Sequence, residues 1–261
     1  MGRFQTFAWI ANTRWFQGFR KRHPRASDFL ARRFAPGGYL GLHLTVGLVV
    51  SIAALWLFGG VTEDVIHHDP LTQFDRTLLE WLHQHVSPWG LRIFAGISWL
   101  GSPLWLTTLA LLVALALAVR RQWLLLAGWT AAMAGTGVLD AVLKHIIQRP
   151  RPPQAATFLH SDSFSFPSGH AMVSLVAYGM LAYLLVVFWG RRRLWRVAII
   201  AVAAALALAI GFSRLYLGVH YFSDVIGGYA GGLLWLSACV TALEIARRQP
   251  ESRLSGDPPA R

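Results

Sequence analysis

The sequence is poor in charged residues and nearly free of cysteine. Charged residues make up 14% of the 261-residue chain, against about 25% in a soluble domain. Its one cysteine, Cys239, lies in an apolar run, which excludes an intrachain disulfide and gives no sign of thiol chemistry. Acidic residues number 12 against 24 lysines and arginines, but the basic residues fall in short clusters between apolar runs. This pattern argues against a nucleic-acid-binding surface and indicates a membrane protein.

Apolar residues are abundant and form 55% of the chain. Six apolar runs approach the roughly 20 residues that a helix needs to cross a bilayer. They occupy residues 39–58, 102–119, 123–143, 171–189, 194–212 and 225–246. Glycine and alanine recur in them, as in GGYAGG at 227–232, and small residues allow close helix packing in lipid. We therefore expect an all-α fold, a bundle of six transmembrane helices.

The basic residues orient this bundle. Of the 24 lysines and arginines, 18 lie before the first run, between the second and third, around the turn between the fourth and fifth, or after the last. Because positive residues concentrate on the cytoplasmic side, both termini are expected inside the cell. Six basic residues are left on the outer side: Arg76, Arg92, Lys144, Arg149, Arg151 and Arg214. Four of them cluster near the ends of the third and fifth runs, where an anionic ligand would explain them.

The segments outside the spans divide the chain into three parts. Residues 1–37 are a basic cytoplasmic segment, either an amphipathic helix on the inner membrane surface or a disordered tail. Residues 38–246 are the six-span domain, and residues 247–261 are a polar, mobile cytoplasmic tail. Between the first two spans, apolar residues at helical spacing around Leu78 predict a helix on the outer surface. No cleavable signal peptide is expected, since a long basic stretch precedes the first apolar run.

Three polar stretches meet at the outer face in this topology. KHIIQRPRP at 144–152 ends the third span, PSGH at 167–170 opens the fourth, and SRLYLGVHYFSD at 213–224 joins the fifth to the sixth. Ionisable residues are costly at a membrane and mark candidate functional sites. The stretches contain cations that suit phosphate oxygens, and the backbone amides of Ser168 and Gly169 begin a helix, where anions bind.

Two histidines and one aspartate complete the set. One histidine would attack phosphorus and the other would transfer protons. Asp224, four residues after His220, would share a helical face with it and accept the Nδ1 proton, which makes Nε2 the nucleophile. Singly, each residue has a simpler explanation: a histidine as a helix cap, an Arg-Pro pair as a membrane anchor, and His–Asp as a local hydrogen bond. Their joint occurrence, in order and on one side, favours a catalytic site.

With these residues in place, the chain resembles the type 2 phosphatidic acid phosphatase family, also called the lipid phosphate phosphatases. The family signature is Lys, six residues, Arg-Pro; then Pro-Ser-Gly-His; then Ser-Arg, five residues, His, three residues, Asp. Every position matches, at Lys144, Arg151-Pro152, Pro167-Ser168-Gly169-His170, Ser213-Arg214, His220 and Asp224. The resemblance extends through the six-span layout and leaves out the N-terminal segment and the tail.

The resemblance implies a role for each residue. His220 would be the nucleophile and form a phosphohistidine, His170 the general acid and base, and Asp224 the residue that orients His220. Phosphate would be bound by Lys144, Arg151, Ser168, Gly169 and Arg214. No metal and no other cofactor is implied, and the cations are numerous enough to neutralise a phosphoryl transition state. Bacterial members suggest an inner-membrane enzyme with an outward-facing site for phosphatidylglycerol phosphate, undecaprenyl pyrophosphate or phosphatidic acid.

Other functions share these features. A lipid phosphotransferase would use the same phosphohistidine, a vanadium-dependent haloperoxidase has a similar anion site, and a transporter or scaffold would merely bind anionic lipid. Six spans argue against the haloperoxidase, and intact catalytic positions argue against the non-enzymatic function. The expected partners are a lipid phosphate and membrane lipids, without nucleic acid, and the motifs leave the oligomeric state open.

Two charged residues near the motifs fall outside the signature. Arg149 is interpreted as a solvated charge, with contact to a second phosphate or a lipid headgroup as the alternative. Asp140 precedes Lys144 by four residues in the third span. The two side chains are expected to pair across one helical turn.

Overall fold

The computed structural model describes residues 39–67, 70–153, 163–190 and 192–254. These residues form helices joined by short connections, without a strand. The helices are α1 (Tyr39–His67), α2 (Pro70–Gln84), α3 (Pro88–Trp99), α4 (Pro103–Val119), α5 (Trp123–Ile147), α6 (Gly169–Trp189), α7 (Arg193–Tyr216) and α8 (Phe222–Leu254). The predicted basic segment 1–37 lies outside the described residues.

Six helical segments are long and apolar enough to cross a membrane, which confirms the predicted bundle. Two of the predicted bounds are wrong at their outer ends. α1 continues to His67, and α3 joins α4 in one candidate span, Pro88–Val119. The break between α3 and α4 has a local cause, because residues that favour a new helix start lie there. The Ser102 hydroxyl accepts a hydrogen bond from the Trp105 amide, and Pro103 is the first residue of α4.

The predicted surface helix is α2. Its buried side consists of Thr72, Asp75, Leu79 and Leu82, while Trp81 is exposed. Leu82 packs in a cluster with residues from the ends of α6, α7 and α8 that carry the polar stretches. The helix therefore lies against the end of the bundle where the candidate site is.

α6 lies at the centre of the bundle, in contact with α4, α5, α7 and α8. It approaches α8 closely because Gly228 and Gly232 face its backbone. A Cβ on Gly228 would lie 2.7 Å from the Ser168 carbonyl oxygen, and one on Gly232 would lie 2.9 Å from the Met172 carbonyl oxygen. The small residues of GGYAGG thus have the packing role expected of them. This packing holds the start of α6 beside the start of α8.

The chain divides into two compact units, Met1–Val46 and Gly47–Arg261. The described part of the first unit is the beginning of α1, and the second unit contains α2 to α8. At the other end of the chain, α8 continues to Leu254. The predicted mobile tail, residues 247–261, is therefore helical as far as Leu254.

Candidate active site

The three polar stretches meet at one end of the bundle. They contribute Lys144 from the end of α5, Gly169 and His170 from the start of α6, Arg214 from the end of α7, and Arg151 and His220 from connections. All six residues line one cavity of about 630 Å³. The sequence prediction that these stretches converge is therefore correct.

His220 is buried between a carboxylate and a guanidinium. Its Nδ1 lies 3.4 Å from Asp224 Oδ2, and its Nε2 lies 3.2 Å from Arg151 Nη1. Because arginine carries only donors, Nε2 accepts and the ring proton resides on Nδ1. Burial lowers the pKa of His220 to about 4, opposed by Asp224 and reinforced by Arg214 and Arg151. The ring is therefore neutral near pH 7, with the Nε2 lone pair on the cavity side.

Asp224 is buried and held at both oxygens. Oδ2 accepts from the Ser165 hydroxyl and from the Tyr221 amide at 2.8 Å, while Oδ1 accepts from Arg149 Nη1 at 2.6 Å. The prediction that His220 and Asp224 share a helical face is wrong in one respect. α8 begins only after His220, so the carboxylate reaches back from the first turn of the helix to the preceding connection.

Two arginines at the cavity are oriented by serines. The Ser163 carbonyl accepts from Arg151 Nε at 2.7 Å, and the Ser163 hydroxyl accepts from Nη2 at 2.8 Å. Arg214 is buried, and its Nη1 donates to Ser98 Oγ on α3 at 2.5 Å. Among the residues that the structure describes, however, its Nε has no partner. Buried donors normally have partners, so this N–H is suited to a bound anion.

Lys144 is the third cation. Its Nζ lies 2.7 Å from Asp140 Oδ2, which confirms the predicted pairing. The other oxygen of Asp140 is buried and has no hydrogen-bond partner in the described part of the chain. Asp140 is the one carboxylate among the described residues that line the cavity. Against three cations, it leaves an excess of positive charge, which a phosphate dianion would neutralise.

The start of α6 is the next part of the site. The Ser168 amide donates to the Asp224 carbonyl at 2.9 Å, so the prediction that this amide faces an anion is wrong. The Ser168 hydroxyl is buried, and no described residue pairs with it. A Cβ on Gly169 would lie 2.9 Å from Lys144 Nζ and from Asp140 Oδ2. Glycine therefore allows the helix to begin against the charged pair.

His170, the predicted acid and base, follows Gly169 and lines the same cavity as His220. Gly101, between α3 and α4, leaves room for its ring, because a Cβ there would lie 3.2 Å from His170 Cδ2. A phosphoryl group in the cavity can thus meet both histidines. In the part of the chain that the structure describes, no cluster of three or more His, Cys, Asp or Glu side chains could hold a metal ion.

Away from the cations the cavity wall is apolar. Leu106, Ala110 and Leu111 of α4 face it, together with Met133 and Ala134 of α5. One cavity therefore joins a cationic end to an apolar end. That combination suits an amphiphile with a phosphate at one end.

Sequence reasoning misplaced one residue and missed two others. Arg149, interpreted as a solvated charge, has a side chain only 12% exposed and forms ion pairs with Asp75 and Asp224. Asp75 on α2 is fully buried, and Ser98 on α3 holds Arg214. The repeat in QRPRP could have drawn attention to Arg149. No motif marks Asp75 or Ser98.

The chain is similar to known proteins in sequence and in fold. The model of the PAP2 superfamily matches residues 123–248. Phosphatidylglycerophosphatase B of Bacillus subtilis strain 168 is 32% identical over 186 residues, which cover 69% of this chain and 89% of that protein. Undecaprenyl-diphosphatase of Sulfolobus acidocaldarius is 31% identical over 112 residues, which cover 41% of this chain and 49% of that protein. The crystal structure of a transmembrane PAP2-type phosphatidylglycerolphosphate phosphatase from Bacillus subtilis superposes with a TM-score of 0.68 at 28% identity, covering 76% of this chain and 98% of that chain.

Proposed function

Because the chain belongs to the PAP2 superfamily, we propose that it hydrolyses the phosphate of a membrane lipid through a phosphohistidine on His220. The observation that carries this proposal is the environment of His220. Its Nε2 accepts from Arg151 at the cavity, and its Nδ1 faces Asp224. A carboxylate at Nδ1, together with an Nε2 lone pair that Arg151 can release to an incoming phosphoryl group, is the arrangement of an activated nucleophilic imidazole.

In the first step, His220 Nε2 attacks phosphorus and the bond from phosphorus to the lipid oxygen breaks. Protonated His170 gives its proton to the leaving oxygen, which departs as the lipid alcohol. Arg151 releases Nε2 and turns this donor to a phosphoryl oxygen. Lys144, Arg214 and the hydroxyl of Ser168 stabilise the charge on the remaining oxygens.

In the second step, neutral His170 accepts a proton from water as the water oxygen attacks phosphorus. The bond from phosphorus to Nε2 breaks, inorganic phosphate leaves, and both histidines return to their starting states. Asp224 stabilises the positive charge on the His220 ring while the phosphohistidine exists. The lipid alcohol and inorganic phosphate are the two products.

The substrate class follows from the two ends of the cavity. Cations bind a terminal phosphate, and the apolar wall between α4 and α5 accommodates the first part of a lipid chain. A terminal phosphomonoester or diphosphate on an acyl or prenyl lipid meets both requirements. The names of the relatives support phosphatidylglycerol phosphate and undecaprenyl pyrophosphate as candidate substrates. Phosphatidic acid is the third candidate, on the family resemblance of the sequence.

The chain is a multi-pass membrane protein, and we place it in a bacterial inner membrane with its site on the outer face. α5 separates Arg121 from Lys144 by the length of a span, and the basic clusters favour the Arg121 side as cytoplasmic. Cysteine labelling tests this orientation. In a Cys239→Ser background, Glu80→Cys should react with a membrane-impermeant maleimide in spheroplasts, whereas Arg121→Cys should react only after lysis. The reverse pattern would contradict the orientation.

The function itself is tested with protein purified in detergent. Phosphate release is measured from the three candidate lipids, with and without a chelator, for the wild type, His220→Ala and the control His145→Ala. His145 is an exposed histidine that directly follows Lys144 near the end of α5. We expect release by the wild type and the control but not by His220→Ala, and the chelator should have no effect.

Two results would contradict the proposal. Full activity of His220→Ala would exclude the phosphohistidine. Release that requires an added lipid acceptor would show a phosphotransferase instead.

A further inference from the structure

The surface helix α2 contributes a buried carboxylate to the back of the active site. Asp75 Oδ1 accepts from the Ser223 amide at 2.9 Å. Asp75 Oδ2 accepts from the Ser223 hydroxyl and from Arg149 Nη2 at 2.9 Å. Asp75 lies outside the stretch 123–248 that matches the family model, and the three-part signature does not include it. Its partners nevertheless adjoin the His220–Asp224 pair.

Arg149 connects this carboxylate to Asp224. Its Nη1 donates to Asp224 Oδ1 and to Ser223 Oγ, both at 2.6 Å, and the guanidinium lies 4.4 Å from the centre of the Tyr221 ring. Burial lowers the pKa of Arg149, but Asp224 and Asp75 together outweigh burial and raise it. The guanidinium therefore remains charged between two carboxylates.

The contacts at Asp224 show what this bridge accomplishes. A carboxylate can rotate about its Cβ–Cγ bond unless both oxygens have fixed partners. Arg149 holds Oδ1, while the Ser165 hydroxyl and the Tyr221 amide hold Oδ2, the oxygen that faces His220 Nδ1. Without Arg149, Oδ1 would be a buried charged oxygen without its cation, and such an oxygen is expected to turn towards another donor.

We propose that Asp75 and Arg149 are positioning residues for phosphoryl transfer, which hold Asp224 in the orientation that directs His220 at phosphorus. This inference rests on the proposed function. Arg149 acts through Asp224 and not on the phosphate, since it is not among the residues that line the described cavity. Asp75 acts on Asp224 only through Arg149, because it holds the Arg149 guanidinium between α2 and α8. The active site therefore includes α2, a helix without any signature residue.

A positioning role has a kinetic signature that phosphate binding lacks. In the proposed function, Lys144, Arg151 and Arg214 bind substrate and vanadate. Their observed contacts do not involve Arg149. Losing the orientation of His220 should lower kcat and leave KM and the inhibition constant for vanadate unchanged. A misplacement of about 1 Å in a reacting group costs about 100-fold in rate. We expect kcat losses of about 10- to 100-fold.

The experiment compares Asp75→Asn and Arg149→Lys with two matched controls on α2. Asn keeps the shape of the carboxylate without its charge, and Lys can span only one of the two carboxylates. The controls are Glu80→Gln and Arg76→Lys, which make the same changes at exposed positions. For each purified variant we would measure kcat, KM, the vanadate inhibition constant and the thermal unfolding midpoint, with rates expressed per folded molecule. His220→Ala serves as the inactive reference.

The expected result is a loss of kcat for Asp75→Asn and Arg149→Lys alone, with unchanged vanadate inhibition. The double variant should lose little more than Arg149→Lys, because both act through one chain of contacts. Wild-type kcat per folded molecule would overturn the inference and assign the network to stability only. A parallel weakening of vanadate binding would overturn it in favour of direct phosphate binding. If His220→Ala itself is active, the proposed function fails, which is a different outcome from wild-type rates in the two network variants.

Discussion

Replacing Arg151 with lysine tests how the cavity controls the nucleophile. The Arg151 side chain donates to the Ser163 carbonyl at 2.7 Å and to the Ser163 hydroxyl at 2.8 Å. It also donates to the Val219 carbonyl at 3.0 Å and reaches His220 Nε2 at 3.2 Å. Ser163 thus holds one edge of the guanidinium, and Nη1 directs the other edge to His220. Lysine keeps the charge but has a single nitrogen, which cannot serve both edges.

The magnitude follows from these contacts. Removing one preorganised donor from a transition state costs about 10²- to 10³-fold in kcat. Lysine retains the charge, so we expect a smaller effect than the loss of the whole donor, about 10- to 100-fold. This corresponds to about 1.4 to 2.7 kcal/mol of transition-state stabilisation. KM should rise as well, because Arg151 lines the cavity in the resting enzyme.

The assay is phosphate release from a short-chain phosphatidic acid in detergent micelles, measured over a range of substrate concentrations. Arg76→Lys provides the control, since Arg76 is exposed on α2. If Arg151→Lys has the kcat and KM of the wild type, the guanidinium fork has no role in catalysis. The described path, in which Nη1 transfers from Nε2 to the phosphoryl group, would then be refuted.

Three further outcomes are expected. Asp140→Asn should lower kcat/KM about 10-fold through loss of the ion pair that orients its lysine partner, and the same rate as the Glu80→Gln control would contradict this. Gly232→Ala should lower the thermal unfolding midpoint, with a destabilisation of about 1 to 3 kcal/mol. The cause is that its Cβ would lie 2.9 Å from a carbonyl oxygen of α6. The control Gly60→Ala should leave the midpoint unchanged, since a Cβ there meets no atom within 4 Å. The His220 ring, with its pKa lowered from 6.5 to about 4, should stay neutral as the pH falls from about 7 to 5. It should gain its proton only as the pH approaches 4, and an NMR titration with a midpoint at the ordinary value would disprove this.

The transmembrane helices were largely predictable from the sequence. Long apolar runs indicate helices that cross a membrane. Five of the six predicted runs lie within single helices of the structure. The second span was predicted too short. Its first part contains Arg92 and three glycines or prolines, which lower the apparent hydrophobicity of a helix that nevertheless joins the span. The guanidinium of Arg92 lies over the Trp89 ring at 5.4 Å, which allows the charge to sit at the membrane edge.

The candidate site was predictable where its residues are close in sequence. The Asp140–Lys144 pair is one helical turn apart, and periodicity alone brings the two side chains together. The details at helix starts were not predictable, because they depend on which residue begins the helix. The Ser168 amide is taken by the Asp224 carbonyl, and His220 precedes α8 instead of lying on it.

Apolar runs, basic clusters and the spacing of the three polar stretches were enough to establish a six-span bundle with its cations and histidines at one end. These features are local, because hydrophobicity and helical periodicity act over a few neighbouring residues. The partners of Arg149 and Arg214 are a different matter. Asp75 and Ser98 lie far from them in the chain, and they meet only because α2 and α3 pack against the ends of α7 and α8. A long-range contact between polar side chains depends on how helices pack in three dimensions, and no pattern along the chain encodes that packing directly.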